Sequence, residues 1–357
     1  MKAARFHAKK DVRVENVPEP SDRLAPHEVL VKNTLTGICG TDLHEYVDGP
    51  IFVPREPHPY SGAQLPLTLG HEFGGRVVAV GSAVQDCKPG DRVAIMPHIA
   101  PPDDFYRQRG LPQYSPQLAI VGLSWPWGGF AEYAVVNDYN AVPMPDSVTD
   151  EQAALIEPVA VVVYATERAG IKPGDSVLVT GAGPIGQLQV MAARAAGASR
   201  IFLSDVNDNR LAFARSIFAD VITLNPRRDD VLTAVRDQTE ARAGADVVVE
   251  CSGAPPALSA GIAAVRPRGV VVQLGLHGRP AEIDAFMLTC KDIDLRGSWC
   301  YSTFMWPRVA SILAAGLLPA EKIVTRRISL DRIVEDGFEA LIDPNGTQIK
   351  ILVDVAG

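Results

Sequence analysis

An apolar, β-branched run that leads directly into three spaced glycines restricts the fold of this chain more than any other feature. Residues 177–186 read VLVTGAGPIG, and an alanine-rich segment with helical spacing follows. Gly181, Gly183 and Gly186 have the G-x-G-x-x-G spacing, which allows a tight turn, the close approach of a pyrophosphate and close packing of a helix on a strand. The sequence therefore predicts a strand–turn–helix unit that binds a dinucleotide at the N-terminus of its helix.

An acidic residue after the next apolar run extends this interpretation. Asp205 lies 19 residues beyond Gly186, where a carboxylate can accept hydrogen bonds from both hydroxyls of a ribose. The same carboxylate would repel a 2′-phosphate, so we predict NAD rather than NADP. Residues 206–209 add no cation, and the nearest one, Arg210, is interpreted either as a solvated helix residue or as packing near the adenine. The predicted cofactor site also includes the first two helical positions, Pro184 and Ile185.

The chain changes character near residue 150. The part before it contains short apolar runs separated by turn residues and is predicted to be β-rich. After Ser147 or Thr149, either of which could cap a helix, strands and helices alternate, which implies a parallel sheet covered on both faces. Residues 298–357 form a mixed tail that we expect to return to the front domain. The predicted elements of the middle part are strands at 176–180, 200–204, 245–250 and 269–274 and helices at 185–197 and 209–218.

Composition restricts the class of function. The chain has 357 residues, with 42 acidic and 34 basic side chains and a formal net charge of −8. This argues for two domains and against general nucleic-acid binding. No apolar run reaches the roughly 18 residues of a membrane span, and five scattered cysteines are too few for a disulfide framework. We therefore expect a cytoplasmic enzyme that acts on a small molecule, without a nucleic-acid or membrane partner.

Two glycine-flanked motifs in the front part carry candidate metal ligands. Residues 37–44 read GICGTDLH and residues 70–75 read GHEFGG. Soft sulfur and nitrogen donors together with a carboxylate suit a zinc ion that keeps an open position. Taken singly, a cysteine or a histidine is more often a buried packing residue, so the interpretation depends on their co-occurrence. The candidate ligands are Cys39, His71, Glu72 and Glu157.

Together these motifs resemble those of the zinc-dependent medium-chain dehydrogenases, the alcohol and polyol dehydrogenase superfamily, over essentially the full length. The resemblance implies an α/β protein with a GroES-like, β-rich catalytic domain at residues 1–158 and 298–357. It implies a Rossmann domain, a doubly wound parallel sheet that binds NAD, at residues 159–297. The resemblance rests on GICGTDLH, GHEFGG, KPGDRV at 88–93, GGFAEY at 128–133, EPVAV at 157–161 and VTGAGPIG at 179–186.

The resemblance also implies roles around the metal. Cys39 and His71 match zinc ligands of the family, and Glu157 matches the position of the third ligand. Glu72 is the neighbouring acid that can ligate directly or move in during turnover. Asp42 matches an acid that orients the ligand histidine through its other ring nitrogen.

A proton path and a further part of the cofactor site follow from the same resemblance. Thr41 and His44 match a relay that takes the proton of the substrate hydroxyl through the cofactor ribose to water. From the residues alone, the alternatives are a turn cap for Thr41 and a surface histidine for His44. The alkoxide then donates hydride to the nicotinamide. Four further residues are assigned to the cofactor site, namely Val161, Ser252, Gly275 and Leu276.

The chain departs from the family at the structural zinc that many relatives hold with C-x₂-C-x₂-C-x₇-C. No cysteine lies between Cys87 and Cys251, and one carboxylate cannot hold a tetrahedral zinc. We therefore predict one catalytic zinc per chain and no structural zinc. The four aligned positions are Pro101, Asp104, Arg107 and Ser115. These positions belong to an irregular segment before the GGFAEY motif, which we call the lobe. The lobe is expected to be held by packing, for which the available aromatic residues are Phe105, Tyr106, Trp125 and Trp127. Packing roles are also expected for Cys87, Cys251, Cys290 and Cys300.

The segment at 46–72 and the motif VGLSWPWGGFAEY at 121–133 resemble the (R,R)-2,3-butanediol dehydrogenase branch. Acetoin and 2,3-butanediol are therefore the favoured substrate pair, although that branch usually keeps the structural zinc. Sorbitol- or galactitol-like polyols are the alternative, followed by threonine and other secondary alcohols. Two other classes remain: a zinc-free reductase of the same superfamily and a non-catalytic NAD-binding protein. The family suggests a homodimer or homotetramer joined through the Rossmann domains.

Overall fold

The computed structural model describes residues 1–21 and 23–356, which form two compact units. The first unit contains Met1–Glu157, Ser302–Gly316 and the chain from Val324 onward. The second unit contains Pro158–Tyr301 and Leu317–Ile323. Within the described residues, no helix is both long and apolar enough to cross a membrane.

The regular elements follow the chain in three stretches. The first contains β1 (Lys2–Ala8), β2 (Asp11–Asn16), β3 (Glu28–Gly37), α1 (Gly40–Asp48), β4 (Leu67–Thr68), β5 (Glu72–Val80), β6 (Arg92–Ile95), β7 (His98–Ile99), β8 (Ala119–Ile120), β9 (Tyr133–Asn137) and β10 (Ala141–Pro143). The second contains α2 (Asp150–Ala169), β11 (Ser176–Thr180), α3 (Pro184–Ala195), β12 (Arg200–Ser204), α4 (Asp208–Ile217), β13 (Ile222–Leu224), α5 (Val231–Asp237), β14 (Ala245–Glu250), α6 (Pro255–Ala264), β15 (Val265–Gln273), α7 (Ala285–Cys290) and β16 (Asp294–Gly297). The third contains α8 (Trp306–Ala314), β17 (Val324–Ser329), α9 (Glu339–Ile342) and β18 (Lys350–Asp354).

Short helical turns connect these elements. The 3₁₀ turns are Arg107–Arg109, Pro112–Tyr114, Asp138–Asn140, Glu240–Arg242, Thr303–Met305, Ala320–Ile323 and Leu330–Arg332, and a π-helical turn covers Ile333–Phe338.

The first unit is built on a mostly antiparallel sheet in the order β10-β6-β5-β3-β18-β17, with β9 also paired to β3. The long strand β3 pairs with β9 through its first half and with β18 through its last residues. The second pairing sets Leu352 opposite Gly37 and so brings the C-terminal strand to the start of α1. Two buried clusters fill this unit, one around Phe6, Phe130 and Phe338 and the other around Phe73, Val93 and Ile95.

The second unit contains a parallel sheet in the order β13-β12-β11-β14-β15-β16. Numbered from β11, this is the order 3-2-1-4-5-6 of a doubly wound fold. Every residue of β11 is buried, as expected for a strand covered on both faces. The α/β class and the parallel sheet predicted from the sequence are confirmed. The strand order reverses between β11 and β14, so the carboxyl ends of these strands mark the edge where such sheets bind ligands.

Helix α2 begins where the sequence changes character. Thr149 is its cap: its hydroxyl accepts a hydrogen bond from the backbone of Gln152 at 3.2 Å, and the side chain of Gln152 accepts one from the backbone of Thr149 at 3.1 Å. This reciprocal pair is a capping box. Of the two caps predicted, Thr149 is therefore the one used. Pro158 lies inside the helix.

Candidate active site

Three candidate metal ligands meet where β3 ends and β5 begins. Cys39 precedes α1, His71 precedes β5 and Glu72 is the first residue of β5. The pairing of Gly37 with Glu72 across the two strands draws these segments together. One donor atom from each of the three side chains lies within 4.8 Å of the others. His71 and Glu72 are buried, with 6% and 1% of their surfaces exposed.

Asp42 contacts two of the candidate ligands, Cys39 and His71. Its side chain is fully buried. One carboxylate oxygen accepts a hydrogen bond from the backbone of Cys39 at 3.0 Å, and the other lies 3.5 Å from Nδ1 of His71. Since Nδ1 faces this carboxylate, the other ring nitrogen is the one available to a metal. The arrangement matches the role that the sequence predicts for Asp42.

The charges of the cluster favour a cation. Burial raises the pKa of the Cys39 thiol, and the Glu72 carboxylate raises it further. Burial opposes the charge of His71, but the carboxylate of Asp42 and the sulfur of Cys39 keep its pKa well above the ordinary value. A divalent cation would stabilise the thiolate and the neutral imidazole that metal binding requires. Sulfur, nitrogen and carboxylate donors at this spacing fit zinc.

Lys350 is a component of this cluster that the sequence analysis missed. Its ammonium forms a buried ion pair with Glu72 and donates to the carbonyl of Ile38 at 2.8 Å. Burial lowers the pKa of Lys350, but the carboxylates of Glu72 and Asp42 and the sulfur of Cys39 together outweigh burial, so the net shift of this pKa is upward. A Cβ at Gly37 would overlap the Glu72 carboxylate and come within 2.9 Å of the Lys350 side chain. Glycine at position 37 therefore leaves the space that this pair needs.

The other predicted catalytic residues lie on helices. Thr41 is half-buried in the first turn of α1, with its hydroxyl 3.8 Å from the Cys39 sulfur. His44 is exposed one turn later. Glu157 is buried in α2 directly before Pro158. Its carboxylate is not among the described donors that gather within 4.8 Å.

The glycine-rich turn in the second unit has the geometry of a phosphate cradle. Gly181 has a φ of +96°, which favours glycine, and a Cβ at Gly186 would overlap the carbonyl of Gly181. A Cβ at Gly183 would meet only Arg210 Nη1, at 3.9 Å. Helix α3 begins at Pro184 without a side-chain cap. Main-chain amides beside open space at a helix N-terminus fit the diphosphate of a dinucleotide.

Asp205 follows β12, and its carboxylate is largely buried. It accepts backbone hydrogen bonds from Ala182 at 2.6 Å and from Asn207 at 2.7 Å. Arg210 Nη1 lies 3.9 Å from the same carboxylate. Residues 206–209 add no cation, but the first turn of α4 brings the Arg210 guanidinium back to the Asp205 carboxylate. Arg210 is thus an ion-pair partner with a side chain 40% exposed, which neither sequence interpretation described.

The remaining predicted cofactor residues also belong to the second unit. Ser252 is exposed in the loop after β14. Gly275 and Leu276 follow β15, and Leu276 is 51% exposed. Val161 is half-buried in α2. Ser252, Gly275 and Leu276 therefore lie at the carboxyl edge of the sheet, next to the switch in strand order.

Hydrogen bonds connect positions that the family resemblance aligns with structural-zinc ligands. One oxygen of Asp104 accepts from the backbone of Tyr106 at 2.8 Å and of Arg107 at 2.9 Å. The other oxygen accepts from the hydroxyl of Ser115 at 2.9 Å. The side chain of Arg107 donates to the carbonyl of Ala100 at 2.6 Å. A polar network therefore joins three of the four aligned positions.

The prediction that aromatic packing holds this lobe is only partly right. Phe105 and Tyr106 are 59% and 38% exposed, so they contribute little buried surface. Trp125 and Trp127 are half-buried against the core cluster around Phe73. Arg107 also stacks on the ring of Tyr139, 4.4 Å from its centroid. The packing role predicted for the cysteines is wrong for one of them, since Cys290 is exposed.

Two family models match the chain. The alcohol dehydrogenase GroES-like domain matches residues 25–146, and the zinc-binding dehydrogenase model matches residues 184–315. The chain is 38% identical to the (R,R)-butanediol dehydrogenase of Bacillus subtilis, over 99% of both sequences. The crystal structure of 2R,3R-butanediol dehydrogenase from that organism has a TM-score of 0.92 and 37% identity, and covers 99% of both chains.

Two further relatives are similar over nearly the full length. Human sorbitol dehydrogenase is 33% identical, over 98% of this chain and 94% of its own. The structure of a zinc-binding dehydrogenase from Sinorhizobium meliloti, bound to NADP, has a TM-score of 0.87 and 32% identity, covering 99% of this chain and 98% of that one. With the cluster in the first unit and the glycine-rich turn in the second, these similarities show that the chain belongs to the zinc-binding alcohol dehydrogenases of the medium-chain superfamily.

Proposed function

We propose that this chain transfers hydride between NAD and a vicinal diol, with 2,3-butanediol and acetoin as the favoured pair. The similarity to butanediol dehydrogenases over 99% of the chain supports this substrate class. The observation that carries the chemistry is the buried cluster of Cys39, His71 and Glu72, whose donors lie within 4.8 Å of one another. A polyol dehydrogenase is the second candidate, supported by the 33% identity to sorbitol dehydrogenase.

Cys39, His71 and Glu157 are proposed to hold one zinc ion at rest. Glu72 is engaged by the buried ammonium of Lys350, which disfavours this carboxylate as the resting ligand and leaves it for exchange during turnover. When bound, zinc supplies a Lewis acid that lowers the pKa of a substrate hydroxyl. Glu157→Gln should therefore lose more zinc than Glu72→Gln in elemental analysis. A greater loss from Glu72→Gln would contradict this assignment.

Thr41 and His44 are proposed to move the substrate proton. They are three residues apart on α1, so they lie on the same face of the helix. The half-buried Thr41 hydroxyl, beside the Cys39 sulfur, accepts this proton and releases its own toward His44. The exposed His44 imidazole releases the proton to water.

NAD is proposed as the cofactor because Asp205 would repel a 2′-phosphate. Arg210 weakens this repulsion, since its guanidinium already lies 3.9 Å from that carboxylate. We therefore expect a preference for NAD over NADP that is caused by Asp205 and reduced by Arg210. The test measures kcat/KM for NAD and for NADP in the wild type and in Asp205→Ala. The ratio of the NAD value to the NADP value should be smaller in Asp205→Ala than in the wild type. Equal values in the wild type, or a preference for NADP, would refute the proposal.

A second hydroxyl on the substrate is the feature that the site is proposed to recognise. The Glu157 carboxylate, or a water bound to it, can meet a second hydroxyl with hydrogen-bonding capacity that a second thiolate would lack. Sites that bond a hydroxyl reject an analogue lacking it much more strongly than apolar pockets reject an extra methylene. In a matched series of ethanol, 2-butanol, the 2,3-butanediol isomers and sorbitol, 2,3-butanediol should exceed 2-butanol by roughly tenfold or more in kcat/KM. Equal values for 2-butanol and every diol would show a simple alcohol dehydrogenase.

The two units are proposed to be the catalytic and the NAD-binding domains, which the positions of the two matching family models support. We also propose a homodimer or homotetramer joined through the second unit. Its outer strand β16 and α7 carry exposed apolar side chains, Leu295 and Phe286. Light scattering of the purified protein tests the assembly.

The cytoplasm is the proposed compartment, supported by five free cysteines.

A further inference from the structure

Glu250, at the carboxyl end of β14, is a fully buried acid that has no part in the proposed chemistry. Its carboxylate accepts hydrogen bonds from the backbone of Ser252 at 2.7 Å and of Gly253 at 3.1 Å, and from Nε2 of Gln273 at 2.8 Å. The hydroxyls of Ser252 and Thr180 also bond to it. Because an ionised carboxylate is purely an acceptor, this shell of donors suits the charged form.

The donors come chiefly from the loop that follows β14 and from Gln273, the last residue of β15. Gln273 and Gly275 join that loop to the one that follows β15. Gln273 links them directly, since its Nε2 also donates to the carbonyl of Gly275 at 2.6 Å. The backbone of Gly275 donates to the carbonyl of Glu250 at 2.8 Å. A Cβ at Gly253 would overlap the carbonyl of Leu276. The two loops therefore pack on each other, with the Glu250 carboxylate beneath them.

A histidine and a third loop adjoin this arrangement. His277 Nε2 lies 3.5 Å from the Glu250 carboxylate. A Cβ at Gly181 would come within 2.8 Å of the Ser252 backbone nitrogen. The glycine-rich turn after β11 therefore rests against the loop after β14. A change at Glu250 can thus alter the edge of the sheet without touching any ligand.

The strand order indicates which part of a dinucleotide this edge faces. The neighbouring strands run β12, β11, β14 and β15. The proposed function places the adenosine ribose at Asp205, after β12, and the diphosphate at the turn after β11. The rest of the dinucleotide then lies over the loops after β14 and β15, which include Ser252, Gly275 and Leu276.

We propose that Glu250 is a positioning residue that fixes the loops after β14 and β15 for the nicotinamide half of the cofactor. It is fully buried and acts through Ser252, Gly253 and Gln273 rather than by contact with the cofactor. This inference rests on the proposed cofactor site. It predicts that loss of the Glu250 charge weakens binding of the nicotinamide half and spares binding of the adenosine diphosphate half.

Asp246 provides a matched control on the same strand. It lies near the amino end of β14, where its carboxylate accepts from the backbone and hydroxyl of Ser176 at 2.8 and 2.7 Å and from Arg266 at 2.6 Å. Asp246→Asn therefore removes a comparable hydrogen-bonded charge at the opposite edge of the sheet. It should lower the melting temperature without altering cofactor affinity.

The experiment measures dissociation constants for NADH and ADP in the full-length protein with Glu250→Gln and Asp246→Asn. Glu250→Gln keeps the size of the side chain but sets an amide group against the surrounding donors. The Kd for NADH should rise roughly tenfold or more, while the Kd for ADP stays within about twofold of wild type. Equal weakening of both ligands, no weakening of NADH, or the same weakening in Asp246→Asn would overturn the proposal.

Two further variants keep the result decisive. If Glu250→Gln does not fold, Gln273→Met removes one donor and should weaken NADH several-fold with ADP unchanged. An unchanged Kd for NADH in that variant would overturn the proposal.

Asp205→Ala tests the proposed cofactor site separately, because it should weaken the binding of both ADP and NADH. If it weakens neither, the proposed cofactor site fails, whatever the result at Glu250.

Discussion

Two regions of the first unit correspond to the catalytic and the structural zinc positions that the family resemblance implies, and different interactions stabilise them. At the junction of β3 and β5, Cys39, His71 and Glu72 keep soft and charged donors close together in a buried site. In the lobe, the half-buried Asp104 bonds instead to backbone amides and to the buried Ser115. Buried sulfur, nitrogen and carboxylate donors that lie this close together favour a bound cation, whereas a single half-buried carboxylate can be satisfied by hydrogen bonds alone.

The largest expected difference concerns metal and activity. Cys39→Ser or His71→Ala should lose bound zinc and lower kcat/KM by more than the roughly 100-fold typical of changes to residues that only surround a metal. Ser115→Ala, which removes the hydroxyl bonded to Asp104, should retain both. Elemental analysis and NAD-linked turnover measure the two effects. Zinc loss from Ser115→Ala would break the comparison, because it would show that the lobe contributes to metal retention.

The next largest effect tests the buried ion pair beside the ligands. Lys350→Met leaves the Glu72 carboxylate buried without its ammonium partner, and breaking such a pair costs about 3–5 kcal/mol. Urea unfolding should show this loss. Most of it should return in the double variant Lys350→Met/Glu72→Gln, where no charge is left unpaired. A single variant as stable as wild type would mean that another group neutralises Glu72.

Sequence reasoning predicted the second unit better than the first. Strands at 176–180, 200–204 and 245–250 are where they were predicted, because uninterrupted apolar runs between turns specify a parallel sheet locally. The ion pair of Lys350 with Glu72 joins residues 278 positions apart. Lys350 is the single lysine inside the apolar run at 349–353. This pattern indicated that a buried acidic group must neutralise its positive charge.

The lobe was predicted less well because its contacts depend on how an irregular segment folds back. The bond between Ser115 and Asp104 spans 11 residues with no periodic pattern, so nothing in the sequence distinguished it from a surface loop. Aromatic residues in such a segment suggest packing, yet Phe105 remains 59% exposed. Glu250 was missed for a related reason: an acid at the end of a buried strand indicates a partner, and one of its donors, Gln273, lies 23 residues away at the end of a different strand.

A smaller effect is expected in the lobe itself. Asp104→Ala removes the acceptor for the amides of Tyr106 and Arg107 and should cost about 1 kcal/mol of local stability, similar to the loss of a helix cap. Hydrogen exchange of this segment should accelerate while zinc content and kcat stay at the wild-type level. A global loss of stability would show that the lobe is coupled to the rest of the unit more tightly than its exposure indicates.

The smallest effect is a dependence on acid. The backbone amide of Arg107, followed by the Ser115 hydroxyl, holds the pKa of Asp104 below its ordinary value of 3.8, against a partial desolvation. The carboxylate therefore stabilises the lobe above that value and ceases to do so as the pH falls through the lowered pKa. Exchange protection of the lobe, corrected for intrinsic rates, should fall between about pH 5 and pH 2 in the wild type. Asp104→Asn should lack this step, and an identical profile in both proteins would assign the acid effect elsewhere.

Zinc stoichiometry tests most directly the claim that one region keeps its metal and the other has replaced it. Protein purified without chelators and dialysed against metal-free buffer should contain one zinc per chain, and Cys39→Ser should contain essentially none. Two tightly bound zinc ions per wild-type chain, or one zinc that survives Cys39→Ser, would contradict the account.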